Sequence, residues 1–147
     1  MFLFAKLILG AVIICFTVII HAFMCDIVLH FLDNHARNLQ RDFRKHWQII
    51  SLIVSVFLIV SALMTDIWIW TFLFYYLEPD LFQTIEAALY FSSITFTTVG
   101  YGDVVLPMEW RVLSGTAAIN GMLLFGWSSA FIFEIITKLY DRSRKNE

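Results

Sequence analysis

Three long stretches of the chain consist almost entirely of apolar residues, and polar residues gather between them. The stretches cover approximately residues 2–32, 47–77 and 112–139. Each is longer than the roughly 20 residues that a helix needs to cross the hydrocarbon core of a bilayer. The pattern therefore predicts three transmembrane helices.

The 34 residues between the second and third stretches are less uniformly apolar and contain both prolines of the chain. Asp80 can cap free backbone donors at a helix start, and Gln83 completes a pattern like a capping box ahead of residues 84–96. A helix of roughly 15 residues is too short to cross a bilayer. Because its flanks must lie on the same side, we expect a re-entrant helix whose chain returns through residues 97–103.

Composition indicates the class of protein. Of the 147 residues, 60% are hydrophobic and 17% are aromatic, which is typical of an integral membrane protein and not of a soluble domain. The first apolar stretch is too long for a signal peptide and no small-residue cleavage site follows it, so we expect it to be retained. Cys15 and Cys25 both lie in that stretch and predict neither a disulfide framework nor a zinc site.

The distribution of charge predicts an orientation. The cations form two clusters at the ends of the spans, the first being Arg37, Arg41, Arg44 and Lys45 and the second Lys138, Arg142, Arg144 and Lys145. The interval before the third span holds acidic residues and one cation, namely Glu78, Asp80, Glu86, Asp103, Glu109 and Arg111. Cytoplasmic segments are enriched in Lys and Arg. We therefore expect a multi-pass protein of the cell membrane with its N-terminus outside and its C-terminus in the cytoplasm, and anionic lipid headgroups as partners of the first cluster.

Residues 97–103 read TTVGYGD and cannot continue a helix. Non-helical backbone at membrane depth is tolerated only where it is buried in protein or lines a water-filled path. Gly100 and Gly102 reach left-handed backbone conformations without a steric penalty, and they alternate with Val99 and Tyr101. This alternation allows successive carbonyl oxygens to face one way and to replace the water shell of a cation. The sequence TVGYG is itself the known signature of potassium selectivity filters.

The chain resembles the pore module of tetrameric potassium channels, of a small bacterial type without a voltage sensor. The resemblance runs from the second span through the third and is complete at residues 97–103. It implies a pore domain at residues 47–147, with outer helix, pore helix, filter and inner helix, preceded by a transmembrane helix and a basic cytoplasmic connection at residues 1–46. It also implies an all-α membrane protein that assembles as a homotetramer. An enzyme is not expected, and no cofactor is implied beyond K⁺ as the permeant ion.

The resemblance assigns roles to individual residues. The filter is formed by Thr98, Val99, Gly100, Tyr101 and Gly102. K⁺ binds the carbonyl oxygens of Thr98, Val99, Gly100 and Tyr101. Asp103 lies at the outer mouth, with Thr97 and Tyr90 as supporting residues.

Two features of the third span and the short helix bear on gating. Gly121 and Gly126 lie where an inner helix often has a hinge, although small residues also permit close helix packing in membranes. Many family members brace the outer-mouth aspartate with a tryptophan on the pore helix. Here the corresponding positions are Tyr90, Phe91 and Ile94, of which only Tyr90 offers a hydrogen-bond donor.

Several ionisable residues lie in or near the apolar stretches: His21, Asp26, His30, Asp66, Glu86 and Glu134. Asp66 follows Trp47 by 19 residues, or about 28 Å of helix, which predicts a position near the outer interface. His21 is the deepest of the set, and with Cys25 alone it offers too few ligands for a metal site. We expect most of these residues to form interfacial or inter-helix hydrogen bonds, and Asn120 to face a cavity or a neighbouring helix.

Two alternatives to a potassium-selective channel remain open from the residues. One is a weakly selective or heteromeric cation channel subunit. The other is a proton-coupled transporter or membrane sensor in which His21, Asp66 and Glu134 titrate and the filter-like loop is vestigial. The intact alternation at residues 99–102 favours the channel, because a sensor would have no reason to keep it.

Overall fold

The structure, a computed structural model, describes residues 2–42 and 46–144. Over these residues the chain forms helices α1 (Phe2–Asp42), α2 (Trp47–Leu77), α3 (Ile85–Phe96) and α4 (Arg111–Arg144), and no strand. Three segments are long and apolar enough to cross a membrane: Leu3–Leu32, Trp47–Leu77 and Arg111–Asp141. The prediction of an all-α membrane protein with three spans and one short apolar helix is confirmed.

The connection between the first two spans is shorter than the sequence pattern predicted. Residues 33–42 contain neither glycine nor proline, and α1 continues through them to Asp42. Arg37 and Arg41 lie on this last part of α1. Their side chains lie outside the described residues, as do Arg44 and Lys45 altogether. The prediction of anionic lipid partners for this cluster therefore stays a prediction.

The turn after α2 differs from the predicted helix start. The backbone N–H groups of Leu81 and Phe82 both donate to the carbonyl of Glu78, at 3.2 and 3.0 Å, so the chain turns at this point instead of entering a helix. The prediction of Asp80 as N-cap, with Gln83 as its capping-box partner, is wrong. Residue Phe82 anchors the turn, since its side chain is buried in the core.

The N-cap of helix α3 is Thr84, four residues after the predicted cap. Thr84 has extended backbone (φ −132°, ψ 150°), and its Oγ1 accepts a hydrogen bond of 3.2 Å from the N–H of Ala87. Glu86 places a negative charge in the first turn, where it interacts favourably with the positive end of the helix dipole. With 12 residues, α3 is about 18 Å long, less than the roughly 30 Å of hydrocarbon that a span must cross.

An aromatic core holds α3 between α2 and α4. The ring of Phe91 lies 5.2 Å from that of Phe74 in an edge-to-face arrangement and 5.4 Å from that of Phe82. At the C-terminal end of α3, Phe96 lies 6.1 Å from Phe125 of α4. Such pairs contribute roughly 0.5–1.5 kcal/mol beyond the burial of their area. Helix α3 is thus held by rings from both neighbouring helices, from α2 at Phe91 and from α4 at Phe96.

Helix α1 packs against α2 and α4 and, among the described residues, its backbone does not approach that of α3 closely. Near its N-terminal end, Gly10 lies so close to α4 that an added Cβ would be 2.7 Å from Oγ1 of Thr116. Further along, a second apolar cluster joins the three long helices: Cys25, Val28, Leu32, Trp47, Ile59, Phe131, Ile135 and Leu139. Close approach at a small residue and side-chain packing are the usual basis of helix association in membranes.

Candidate functional site

The segment after α3 is attached to the last turn of that helix by backbone hydrogen bonds. The N–H of Thr97 donates to the carbonyl of Ser93, and that of Thr98 to the carbonyl of Thr95, each at 3.0 Å. The N–H of Gly100 reaches back to the carbonyl of Ile94, also at 3.0 Å. These donors satisfy carbonyls that a helix C-terminus otherwise leaves free. The C-terminal, negative end of the α3 dipole therefore lies directly beside residues 97–100.

The backbone of residues 98–102 alternates between two conformations. Thr98, Gly100 and Gly102 have positive φ values of 63°, 51° and 79°, whereas Val99 and Tyr101 do not. Glycine adopts this region freely, but for a β-branched residue such as Thr98 it is strained by roughly 1–3 kcal/mol. The alternation allows adjacent carbonyl oxygens to face the same side. A strained residue held within such a run is a common feature of functional sites.

Side chains do not explain the two glycines of this segment. A Cβ built on Gly100 or Gly102 would meet no atom within 4 Å in the single chain. Glycine is therefore favoured at both positions by the backbone conformation and not by a lack of space for a side chain. Residues 97–103 are exposed in the single chain, with Val99 and Tyr101 at 52% and 74%. Because irregular backbone in a membrane must be buried in protein or face water, this surface requires either a water-filled path or protein cover that the single chain does not supply.

A cavity lies behind the segment, between it, α3 and α4. Its volume is about 320 Å³, and its walls include Thr95, Thr98, Val105, Ser114 and Ala118. Open space therefore separates Thr98, Gly100 and Gly102 from the α4 residues Ser114, Gly115 and Ala118 within the single chain.

The C-terminal end of the segment is joined to α3 by two side chains. The hydroxyl of Tyr90 donates a hydrogen bond of 2.7 Å to Oδ2 of Asp103. This hydrogen bond raises the pKa of Tyr90 above its ordinary value, and desolvation adds to the effect. Tyr90 is therefore a protonated donor throughout the neutral pH range. The neighbouring Phe91 and Ile94 are buried, and neither side chain carries a hydrogen-bond donor for Asp103.

Gly121 is the point where α4 touches the C-terminus of α3. A Cβ at this position would lie 1.7 Å from the carbonyl oxygen of Phe96, so only glycine fits without a shift of backbone. Gly126 has open space around it. Helix α4 is continuous through both positions. The geometry gives Gly121 a packing role next to residues 97–103, and a hinge at either glycine stays a hypothesis.

The structure also brings together polar residues that the sequence did not connect. Asp66, expected near the outer interface, pairs with His21 in the protein interior, and Asn120 donates to Thr17 of α1. Glu134 pairs with Lys138 on the surface of α4 at 2.8 Å. No group of three or more His, Cys, Asp or Glu side chains that could hold a metal ion occurs in the described part of the chain. Thr17 and His21 lie four residues, or about one helical turn, apart, and this spacing is the feature of the sequence that indicates a polar face on α1.

Comparison with protein families gives a match that covers α2, α3 and most of α4. A family model described as "Ion channel" matches residues 47–138, which is more than half of the chain. The match begins with α2 and ends near the C-terminal end of α4. No solved structure matches.

Several curated proteins are similar to this chain. The potassium voltage-gated channel protein Shal of Drosophila melanogaster is 28% identical over 94 residues, covering 60% of this chain and 16% of that protein. The cyclic nucleotide-gated potassium channel mll3241 of Mesorhizobium japonicum is 30% identical over 74 residues, 48% of this chain and 19% of its own length. The voltage-gated potassium channel regulatory subunit KCNG3 of Mus musculus is 33% identical over 60 residues, covering 40% of this chain and 14% of that protein. The chain thus spans less than a fifth of these relatives.

Proposed function

The chain belongs to the ion channel family whose model it matches, and from this premise we propose that it conducts K⁺ selectively and passively across the cell membrane through a tetrameric pore. The observation that carries the proposal is the backbone of residues 98–102. Its sequence is TVGYG, and its positive φ values fall at every second residue. Rings of carbonyl oxygens replace the hydration shell of K⁺ in filters of this kind.

The proposed filter uses the backbone more than the side chains. K⁺ binds the carbonyl oxygens of Thr98, Val99, Gly100 and Tyr101, and Gly102 completes the alternation. The hydroxyl of Thr98 adds an oxygen at the inner end. The negative end of α3 beside residues 97–100 favours a cation there. Thr97 supports the arrangement, since its Oγ1 donates to the carbonyl of Ser93 at 2.7 Å.

The proposed assembly is a homotetramer. One chain supplies one quarter of a filter, and closed rings are the usual arrangement of identical subunits. The exposed Tyr101 ring and the cavity behind the segment support the proposal, because both need cover that the single chain lacks. A mass measurement of the purified protein in detergent should give the mass of four chains.

The proposed orientation has the N-terminus outside and the C-terminus in the cytoplasm. In this arrangement Glu78, Asp80 and Glu86 lie on the outer side, with the entrance to α3. Residues 1–46 then form a peripheral transmembrane helix with a basic cytoplasmic connection, and residues 47–147 form the pore domain. Anionic headgroups would bind the cluster of Arg37, Arg41, Arg44 and Lys45.

A second candidate function is that of a subunit that conducts, or conducts selectively, only together with a different chain. It is favoured by one observation, namely that KCNG3, 33% identical over 60 residues, is named a regulatory subunit. A purified chain that stays monomeric or dimeric and carries no current alone would support this candidate. A proton-coupled transporter with a vestigial filter is less well supported, because the alternation of φ at residues 98–102 is intact.

The deciding experiment is a planar-bilayer recording of the purified protein with K⁺ on one side and Na⁺ on the other. We expect unitary currents that reverse close to the K⁺ equilibrium potential. The matched control is Gly100→Ala, which leaves the apolar surfaces of the spanning helices unchanged. A reversal potential near zero would contradict selectivity. Flux that requires a proton gradient would favour the transporter.

A further inference from the structure

Five polar side chains are buried where α1, α2 and α4 meet. Each is at most 4% exposed: Thr17 and His21 on α1, Asp66 on α2, and Asn120 and Ser128 on α4. Ionisable groups within transmembrane segments are costly to bury, and they are functional candidates by default. The filter does not use any of these five residues, so their presence calls for a separate explanation.

His21 is the centre of this cluster because its ring bonds to both other helices. Nδ1 lies 2.8 Å from Oδ2 of Asp66, and Nε2 lies 3.1 Å from Oγ of Ser128. The ring of Trp127 covers it at a centroid distance of 5.8 Å. A single imidazole therefore ties α1 to α2 on one side and to α4 on the other.

The number of protons on this pair decides its net charge. A neutral imidazole beside an ionised carboxylate has a net charge of −1. One further proton makes the pair uncharged overall, either as His⁺ with Asp⁻ or as neutral His with a protonated Asp. Loss of that proton leaves a buried carboxylate with net charge −1. Addition of a second leaves a buried charge of +1. Because an uncompensated charge in an apolar interior is strongly unfavourable, the neutral pair is the favoured form.

The surroundings of Asp66 make the anion especially unfavourable. Oδ1 of Asp66 receives no hydrogen bond from the described residues, so His21 alone would solvate the carboxylate. An ionised carboxylate has about four acceptor sites to satisfy. The hydroxyl of Ser128 accepts from Nε2–H of a protonated ring and must turn to donate to a bare Nε2, so the bond from His21 to α4 is charge-assisted only while the ring is protonated.

Few other titratable groups face this pair. On α1, the thiol of Cys25 lies one turn from His21 and interacts with it, whereas Asp26 and His30 are exposed. On α2, Tyr75 and Tyr76 are exposed. On α4, the charged groups at the described positions are likewise not buried, including Glu134 with its partner Lys138. The proton balance of the site therefore rests on His21 and Asp66, with the Cys25 thiol beside them.

The cluster is linked to the filter through α4. Nδ2 of Asn120 donates to Oγ1 of Thr17 at 2.7 Å. The next residue, Gly121, contacts the carbonyl of Phe96, whose helix end carries residues 97–100. A change in how α1 holds α4 would thus reach the α3 C-terminus over a short, close-packed path.

We propose that His21 and Asp66 form a buried proton-binding site whose single proton sets how firmly α1 holds α4, and that this site makes the open probability of the pore depend on pH. The open-probability part rests on the proposed channel function. The proton-binding part does not, so the two can fail separately.

The first experiment measures thermal unfolding of the purified protein in detergent as a function of pH, with Asp66→Asn as the main variant. As the pH rises, the wild type should lose stability when the buried pair loses its proton. Asp66→Asn should lack this alkaline loss, because a neutral His beside Asn carries no charge. Asp26→Asn, which removes an exposed carboxylate from α1, the helix of His21, is the control and should keep the wild-type profile. Identical pH profiles for the wild type and Asp66→Asn would overturn the proton site.

A double-mutant cycle separates a proton pair from ordinary packing. His21→Gln should destabilise the protein more than the double variant His21→Gln/Asp66→Asn, because the single change leaves a buried carboxylate unpaired. A double variant that is less stable than both single variants would contradict the pairing. This comparison does not depend on conduction.

The second experiment records open probability in planar bilayers between about pH 5 and pH 9, a range in which histidine titrates. We expect a change of about fivefold or more in the wild type, the lower end of typical coupling between sites, and a flattened profile in Asp66→Asn. K⁺ selectivity should be the same in both. Suppose that Asp66→Asn keeps the wild-type dependence of open probability on pH, while the two proteins still differ in how their thermal stability depends on pH. This result would overturn the coupling to the pore. Absence of any current from the wild type would instead count against the channel function.

Discussion

The hydroxyl of Tyr90 and Oδ2 of Asp103 lie 2.7 Å apart, joining the middle of α3 to the outer end of residues 97–103. Thirteen residues separate them in sequence, and the whole proposed filter lies between them. The inner end of the same segment is attached to the last turn of α3 by backbone bonds. The segment is thus anchored at both ends to a single helix, by backbone donors at one end and by one side-chain bond at the other.

Removal of the Tyr90 hydroxyl should loosen the outer end of the filter. In Tyr90→Phe we expect conducting bursts to shorten by roughly threefold, in keeping with the loss of one hydrogen bond, without a change in K⁺ selectivity. Single-channel recordings at constant voltage measure this directly. Tyr76→Phe, at a tyrosine that is 86% exposed, is the control and should behave as the wild type. Bursts of wild-type length in Tyr90→Phe would show that the bond does not support the filter.

The same bond predicts a pH dependence with a defined sign. Because Asp103 raises the pKa of Tyr90, the protonated donor is favoured in the folded protein. Its contribution is complete below the ordinary tyrosine pKa of about 10 and is lost only as the pH rises through the raised value. The difference in burst length between wild type and Tyr90→Phe should therefore be constant from about pH 6 to pH 9 and shrink above about pH 10. A difference that disappears near neutral pH would contradict the assignment of Tyr90 as donor.

Gly100→Ala should abolish K⁺-selective current without preventing assembly. Gly100 has φ of 51° and no atom near an added Cβ, so the penalty comes from backbone conformation alone. It amounts to roughly 1–2 kcal/mol for each chain and is incurred in every subunit of a ring. Bilayer recordings and a detergent mass measurement on the same preparation test the two halves of this prediction. Normal current from an assembled Gly100→Ala protein would remove Gly100 from the filter.

Tyr101→Ala should damage selectivity before conduction. The ring is 74% exposed in the single chain, and we expect it to pack outward against a neighbouring subunit and hold the carbonyl ring at its diameter. Without the ring, the backbone can still form the alternation, but the spacing of its oxygens is less restrained. The reversal potential under K⁺ against Na⁺ should move towards zero. Wild-type selectivity in both Tyr101→Ala and Gly100→Ala would exclude residues 98–102 as the filter.

Gly121→Ala distinguishes packing from a hinge. Because the new methyl group would overlap the carbonyl of Phe96, α4 must move away from the α3 C-terminus, at a cost of about 1–3 kcal/mol for overpacking. We expect a lower unfolding temperature together with altered conduction. Gly126→Ala, where the space is open, should not reduce stability. Reduced open probability in Gly121→Ala at wild-type stability would instead support the hinge.

The sequence by itself determined the number and type of helices, because these depend on local properties. Length and apolarity define a span, and α3 was identified as too short to be one. The two glycines of residues 97–103 require the left-handed conformations that the structure contains at Gly100 and Gly102. The left-handed Thr98 did not follow from its residue type, since a β-branched side chain disfavours it. The N-cap of α3 at Thr84 instead of Asp80 also depended on context, namely on the turn anchored by Phe82.

Only the tertiary structure decided which faces of the helices meet. Each span is apolar on nearly all sides, so the hydropathy pattern contains little information about rotation around the helix axis. The pairing of His21 with Asp66 spans 45 residues, and the contact of Gly121 with Phe96 requires a particular crossing point of α4 and α3. Both follow from side-chain packing between helices, in which a one-turn shift would separate the partners by about 5.4 Å. For the same reason the placement of α1 against α4, on which the proposed proton site depends, became visible only in the assembled fold.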